Sequence, residues 1–340
     1  MSSFETTRDD ETWAAWLAAA EVDDVYYSSR YARIWAQEEH GSFIGIRYES
    51  TAGRVLYPLL LVPLDALPAG AGLFEARTPY DFGGPRADSD DSEEVHREFR
   101  IALLDWLRSR HVVSEFARLH PLSGGGRPAD ARPHAENFIV DLTIPYDDLL
   151  ASQHRRHRRA VRAFARRNGE ANVVSQVSPD DTSAFIALYA LTMSRVGAGL
   201  DYRFTRETLS ALMALDEMCL VRAEGENGTC GGALLLRSGS DLFYFLGASA
   251  GDRPPGTNNA IFDAAIHHAQ SRGLQTLHLG GGNESLRDFK SQIASGTIPY
   301  CVLQRIVDES RYAALCEACG ASGSADFPAF RSMLVAQRGR

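Results

Sequence analysis

Apolar positions recur at helical spacing over Asp10–Glu21 (Trp13, Trp16, Leu17) and Ser28–His40 (Tyr31, Ile34, Trp35), which predicts two amphipathic helices. Ser42–Tyr48 and Val55–Val62 are strand-like, and Ser50–Gly53 joins them as a hairpin. A strand ending near Tyr80-Asp81-Phe82-Gly83-Gly84-Pro85, a helix from about Ser92 to Arg110 and a strand over Val112–Leu119 follow. Asp91 and Glu94 have the spacing of a capping box at the start of that helix, with acids where the helix dipole favours them.

The pattern then begins again. A strongly basic helix, Gln153–Asn168, stops at Gly169. It is followed by a strand (Asn172–Val177), two helices (Asp181–Val196, Thr205–Leu215) and three strands (Cys219–Ala223, Gly231–Arg237, Leu242–Gly247). A helix (Asn258–Arg272) and a strand (Gln275–Leu279) end the series. Both halves run helix, helix, antiparallel strands, loop, helix, strand, the sign of a duplicated α/β (α+β) unit with mixed, largely antiparallel sheets. The expected domains are 1–150 and 151–308, with C-terminal helices (Ser310–Gly320, Phe327–Val335) within 309–340 returning to the first.

Composition narrows this picture. With 340 residues, 44% of them apolar, the chain can fill two cores. Its acidic N-terminus lacks the basic and apolar regions of a signal peptide, and Val55–Leu67 is too short and too broken by proline to span a bilayer. A cytoplasmic protein with no membrane partner is expected. Five cysteines without framework spacing suit a reducing compartment, and Cys316-x-x-Cys319 has no second pair to make a metal site. A net charge of -9 argues against DNA, yet seven arginines fall within His154–Arg167. Arg155, Arg158, Arg159, Arg162 and Arg166 share one helix face, which either is a solvated face paired with acids or attracts a polyanion.

Lys290 is the only lysine; the other 34 basic side chains are arginine. A compact amine on a flexible stem is not interchangeable with a guanidinium, so this position is a candidate for chemistry arginine cannot do. It lies in Leu274–Ile293, after Gly280-Gly281-Gly282. Arg253-Pro254-Pro255-Gly256-Thr257-Asn258 opens the preceding helix, with Pro-Gly as turn residues and Thr257 or Asn258 as N-cap. The corresponding first-half loop carries Asp88, Asp90, Asp91, Glu93 and Glu94.

The order of elements in each half resembles the GNAT acyltransferase fold. That resemblance implies either a loop at Arg253–Asn258 whose N–H groups hold the pyrophosphate of acyl-CoA or a plain turn there. It implies no such site at the acidic first-half loop, which would repel a pyrophosphate. Four stretches in order are similar to the Fem family of aminoacyl-tRNA-dependent transferases: Tyr80–Pro85, Arg155–Gly169, Thr192-Met193-Ser194-Arg195 with Tyr202-Arg203, and the three glycines with Asp288-Phe289-Lys290. Ile293-Ala294 stands where that family has Phe-Gly. The resemblance implies two tandem GNAT domains, the first on the acceptor side and the second on the donor side. It further implies aminoacyl transfer from tRNA to the amine of a small peptide-like acceptor, in antibiotic (peptidyl-nucleoside-type) biosynthesis or in peptidoglycan cross-bridge formation.

On that resemblance Lys290 neutralises the charge that develops in the tetrahedral transition state, or charge on the donor, and Asp81 and Asp288 are candidates to orient the attacking amine. Tyr80, Tyr202, Tyr244 and Phe289 would line the acceptor site, with Arg195 on an anionic group. Arg155, Arg158, Arg159, Arg162, Arg253, Gly256, Thr257 and Asn258 would face the donor. An aminoacyl ester is already activated, so no cofactor, metal or protein nucleophile is expected. The rival readings are an acyl-CoA-dependent N-acyltransferase and a non-catalytic binding or self-resistance protein. His267 and His268 point to different helix faces, and His278 is expected in the core.

Overall fold

The computed structural model describes residues 2–88 and 92–338, the Arg338 side chain excepted. Asp90 and Asp91, and with Asp91 the expected capping box, lie outside the described residues. The chain divides into two compact units, Met1–His134 with Tyr300–Arg340, and Ala135–Pro299.

The first unit contains β1 (Ser3–Thr7), α1 (Asp10–Ala19), α2 (Ser29–Glu38), β2 (Ser42–Ser50), β3 (Gly53–Pro63), β4 (Phe74–Arg77), β5 (Arg86–Ala87), α3 (Glu93–Ser109) and β6 (Val112–Arg118). The hairpin of β2 and β3 keeps full register from Ser50↔Gly53 to Ser42↔Leu61, so one face of each strand stays in the core throughout. β4 and β6 pair in parallel, the other named pairs antiparallel. The core packs Ile46, Tyr57 and Leu59 against Phe99, Leu103 and Leu107 of α3. At the start of that helix, Ser92 Oγ and His96 bond the Gly125 carbonyl. A Cβ on Gly125, whose φ is +95°, would lie 2.3 Å from the Ala87 carbonyl oxygen, so this loop closes tightly over the helix entrance.

The second unit is built from β7 (Arg132–Asp141, from Ala135 on), α4 (Tyr146–Ser152), α5 (Arg155–Ala165), β8 (Glu170–Val174), α6 (Pro179–Arg195), α7 (Arg206–Met213), β9 (Met218–Gly225), β10 (Gly228–Ser238), β11 (Asp241–Ser249), α8 (Thr257–Ser271), β12 (Thr276–Gly280) and α9 (Glu284–Ser291). Its strands lie in the order β7-β12-β11-β10-β9-β8. Ser178 and Asp181 form a reciprocal capping box with Pro179 at N1, fixing where α6 begins. Residues 135–150, which the sequence groups with the first half, belong here: β7 pairs with β12 from Asp141↔Thr276 onward, and Leu149 of α4 is fully buried in this core.

The last elements are β13 (Gly296–Ile306), α10 (Glu309–Ala318) and α11 (Arg331–Arg338). From Tyr300 on they belong to the first unit, where Val302–Ile306 pairs antiparallel with β6 and Arg331 bonds Glu39 at 2.5 Å. Arg305 lies between Glu115, which has no exposed surface, and Asp130, at 2.7 and 2.6 Å. β1, β7 and β13 are absent from the sequence-based pattern, because what orders them is pairing with distant strands.

Candidate active site

The parallel pair of β11 and β12 frames the candidate site. β11 and β12 are in register only over Asp241–Phe243 and Thr276–His278 and then part. At that point β11 carries a bulge: Leu235 pairs with Tyr244 and Leu234 with Leu246, leaving Phe245 extra. The opening between parting strands is flanked by Tyr244 on one side and by the Gly280–Gly282 turn on the other.

That turn is made of glycine for steric reasons. Gly280 has φ +73°, a left-handed conformation that costs other residues, and a Cβ there would sit 3.4 Å from Lys290 Nζ. A Cβ on Gly281 would lie 2.9 Å from Asn137 Oδ1. The freed backbone directs the Gly281 carbonyl at Lys290, and Asn283 caps α9 by accepting from the Leu286 amide at 3.0 Å.

Lys290 Nζ donates to the Gly281 carbonyl at 2.6 Å and lies 5.7 Å from the centre of the Tyr244 ring, and the residue is only 7% exposed. A buried amine donating to a carbonyl beside an aromatic face is aimed, not solvated. Tyr244 stacks on Phe262 at 4.5 Å, and Phe262 meets Phe289 at 5.7 Å. Burial pushes the Tyr244 hydroxyl up to about 12, so it stays protonated at neutral pH. The structure thus joins Lys290, Tyr244 and Phe289. It adds Phe262 and Asn137, whose places on a helix and a strand give no chemical signal in the sequence.

The remaining candidates lie elsewhere. Asp288, two residues before Lys290, is exposed on another face of α9 and accepts from Gln292 at 3.4 Å. Arg195 donates to the Ser249 carbonyl at 3.0 Å, fastening the end of β11, and Tyr202 is 53% exposed on the loop between α6 and α7. Asp81 belongs to the first unit. It has φ +67°, accepts from Tyr26 Oη at 3.0 Å and lies 3.6 Å from Arg118. Burial, then the Asp81 charge, holds the Tyr26 phenol well above its ordinary value, so it remains a donor. Tyr80 stacks on Trp35 at 4.5 Å, and its carbonyl accepts from Tyr31 Oη. Tyr26, Tyr31 and Arg118 carry no motif of their own, so their convergence on this turn emerges only from the fold.

The donor-side residues divide. Gly256 has φ +95°, and a Cβ on it would lie 2.2 Å from the Ala160 carbonyl oxygen: α5 packs directly on the first turn of α8. Buried His157, its pKa lowered by desolvation, meets Asn259 at 2.9 Å in the same contact. Thr257 is turned inward, its hydroxyl on the Pro254 carbonyl at 2.7 Å and near the Cys230 thiol. Arg253 bonds the Ala250 carbonyl, and Asn258 is half-buried in the first turn of α8. Arg158 caps α4 through the carbonyls of Leu150 and Ala151 at 3.2 and 2.5 Å. Arg155, Arg159, Arg162 and Arg166 are exposed and form no ion pair among the described residues. His278 is buried against Phe243. No group of three metal-ligating side chains occurs among the described residues.

A parallel strand pair joined through a helix occurs in both units, β4-α3-β6 in the first and β11-α8-β12 in the second, which gives the chain a tandem GNAT, Fem-like fold. Residues 151–291 match the family model described as an acetyltransferase (GNAT) domain. Among solved structures, FemX matches with a TM-score of 0.67 over 92% of this chain and 99% of its own, at 13% identity. The C-terminal domain (DUF2156) assigned to a lysylphosphatidylglycerol synthetase of Agrobacterium fabrum matches with 0.56 over 91% and 96%, at 13% identity. L-PGS from Bacillus licheniformis matches with 0.54 over 97% and 96%, at 14% identity. No curated protein matches the sequence. No described helix is long and apolar enough to cross a membrane.

Proposed function

We propose that the protein is an aminoacyl-tRNA-dependent aminoacyltransferase that forms a peptide bond to the amine of a small peptide-like acceptor. The peptidyl-nucleoside-type antibiotic and peptidoglycan cross-bridge settings are the two metabolic contexts of this reading. The observation that carries it is Lys290: the chain's one lysine, buried, with Nζ on the Gly281 carbonyl where β11 and β12 part. A cation fixed there before reaction stabilises the oxyanion of acyl transfer without reorganising. The attack of a free amine on an aminoacyl ester gives an amide and a released tRNA hydroxyl, with the amine's proton passing to the leaving oxygen. The unpaired arginines of α5 support a polyanionic donor, because a face of unneutralised like charges on one helix is otherwise a standing cost.

The GNAT acetyltransferase match favours a second reading, acyl-CoA-dependent N-acylation. Against it, α5 occupies the space beside Gly256, and Thr257 faces the core, at the helix end where a pyrophosphate would sit. The test is a transfer assay with labelled aminoacyl-tRNA and labelled acetyl-CoA offered side by side to an extract of small-molecule acceptors. Labelled product abolished by ribonuclease is the expected result; product from the CoA donor alone refutes the tRNA reading.

A further inference from the structure

β1 leaves the first unit's sheet after Thr7, opposite Gly45. Among the described residues the start of β2, from Ser42 to Ile44, therefore has no strand on that side, and the end of α3 borders the gap. The result is a pocket of about 550 Å³. Ile44 and Leu61, both nearly fully buried, are its floor, Phe74 and Trp106 its walls, and Arg8 and Arg110 stand at its rim. The Arg110 guanidinium lies 5.5 Å over the Trp106 ring, whose position Phe4 fixes from a 6.1 Å centroid distance.

The charge of this pocket is anomalous. In a chain of net charge -9, no carboxylate lines it, and neither Arg8 nor Arg110 forms an ion pair among the described residues. Arg110 follows the last residue of α3, where the helix dipole favours a cation, but that does not account for Arg8. An apolar floor with a few convergent polar groups, in this size range, is the usual form of a small-molecule site. The guanidinium fork selects a carboxylate or similar anion as the polar end.

We propose that this pocket binds an amphiphilic carboxylate, its apolar body on Ile44, Leu61, Phe74 and Trp106 and its head at Arg8 and Arg110. The site is independent of the transfer reaction proposed above.

The test uses the full chain with octanoate, octanol and octylamine below their aggregation limits, followed by calorimetry and tryptophan fluorescence. Octanoate is expected to bind, the neutral and cationic analogues at least about tenfold more weakly, in keeping with a charge-assisted contact. Arg8→Ala with Arg110→Ala removes that preference while leaving the weak octanol binding, and both side chains are exposed, so the fold survives the change. Trp106→Phe removes the fluorescence response. Equal binding of the three ligands, undiminished octanoate affinity in the double arginine variant, or no octanoate binding at millimolar concentration overturns the proposal.

Discussion

Lys290 Nζ lies 2.6 Å from the Gly281 carbonyl, and a longer, planar guanidinium in its place would not keep that single point contact without moving the turn. Lys290→Arg and Lys290→Met are each expected to lower kcat by about 10²–10³, the loss typical of one oxyanion donor. KM should change little, as steady-state kinetics of the ribonuclease-sensitive transfer will register; unchanged kcat in both variants removes Lys290 from the chemistry. Its candidacy was legible in the sequence because one lysine stands among 34 arginines. The neighbouring Asp288 shows the limit of such reading. Two residues along a helix are about 200° apart, so adjacency in a motif carried the aspartate to another face.

At the scale of elements, the packing of α5 on α8 explains what the basic helix does structurally and what it leaves over. Gly256→Ala forces a side chain into a left-handed residue and against the Ala160 carbonyl. A loss of about 2–4 kcal/mol in urea unfolding is expected. The arginines separate by role. Arg158→Ala should destabilise the chain by removing the α4 cap and leave nucleic-acid affinity little changed. Arg155→Ala, Arg159→Ala and Arg162→Ala together should leave stability intact and reduce the slope of log K against log salt for tRNA by roughly 0.7–0.9 for each phosphate no longer neutralised. An unaltered slope would return this face to plain solvation. The spacing of the arginines gave the shared face in advance; it could not give Arg158's turn toward the Leu150 carbonyl, which depends on where α4 ends.

At the scale of the whole molecule, the first unit is closed by a strand and helices from the far end of the chain, and charge holds that closure. Arg305 of β13 is flanked by buried Glu115 and by Asp130. Arg305→Met leaves Glu115 buried without its cation and should cost about 3–5 kcal/mol. Burial raises the Asp130 carboxyl, but the bonds and charge of Arg305 outweigh it and leave the pKa below the ordinary 3.8. A depressed pKa means stability that is fully present above the unfolded value and is lost as pH falls through the folded one. Stability should therefore decline below about pH 4, and Asp130→Asn should flatten that part of the profile in pH-dependent urea melts; an identical acid limb would exclude this pair as the cause.

The amino-acid sequence determined the two repeated α/β halves, most helices and the β2–β3 hairpin, because apolar periodicity, caps and glycine stops act within a few residues of each other. It also singled out the lysine and the basic face, because composition and spacing are local quantities. Tertiary structure alone decided that residues 135–150 join the second unit, that β13 completes the first, and which side chains meet Lys290 and Asp81. Strand pairing and side-chain convergence depend on chain segments a hundred or more residues apart, as in the bond between Asp141 and Ser295, and no local pattern encodes them.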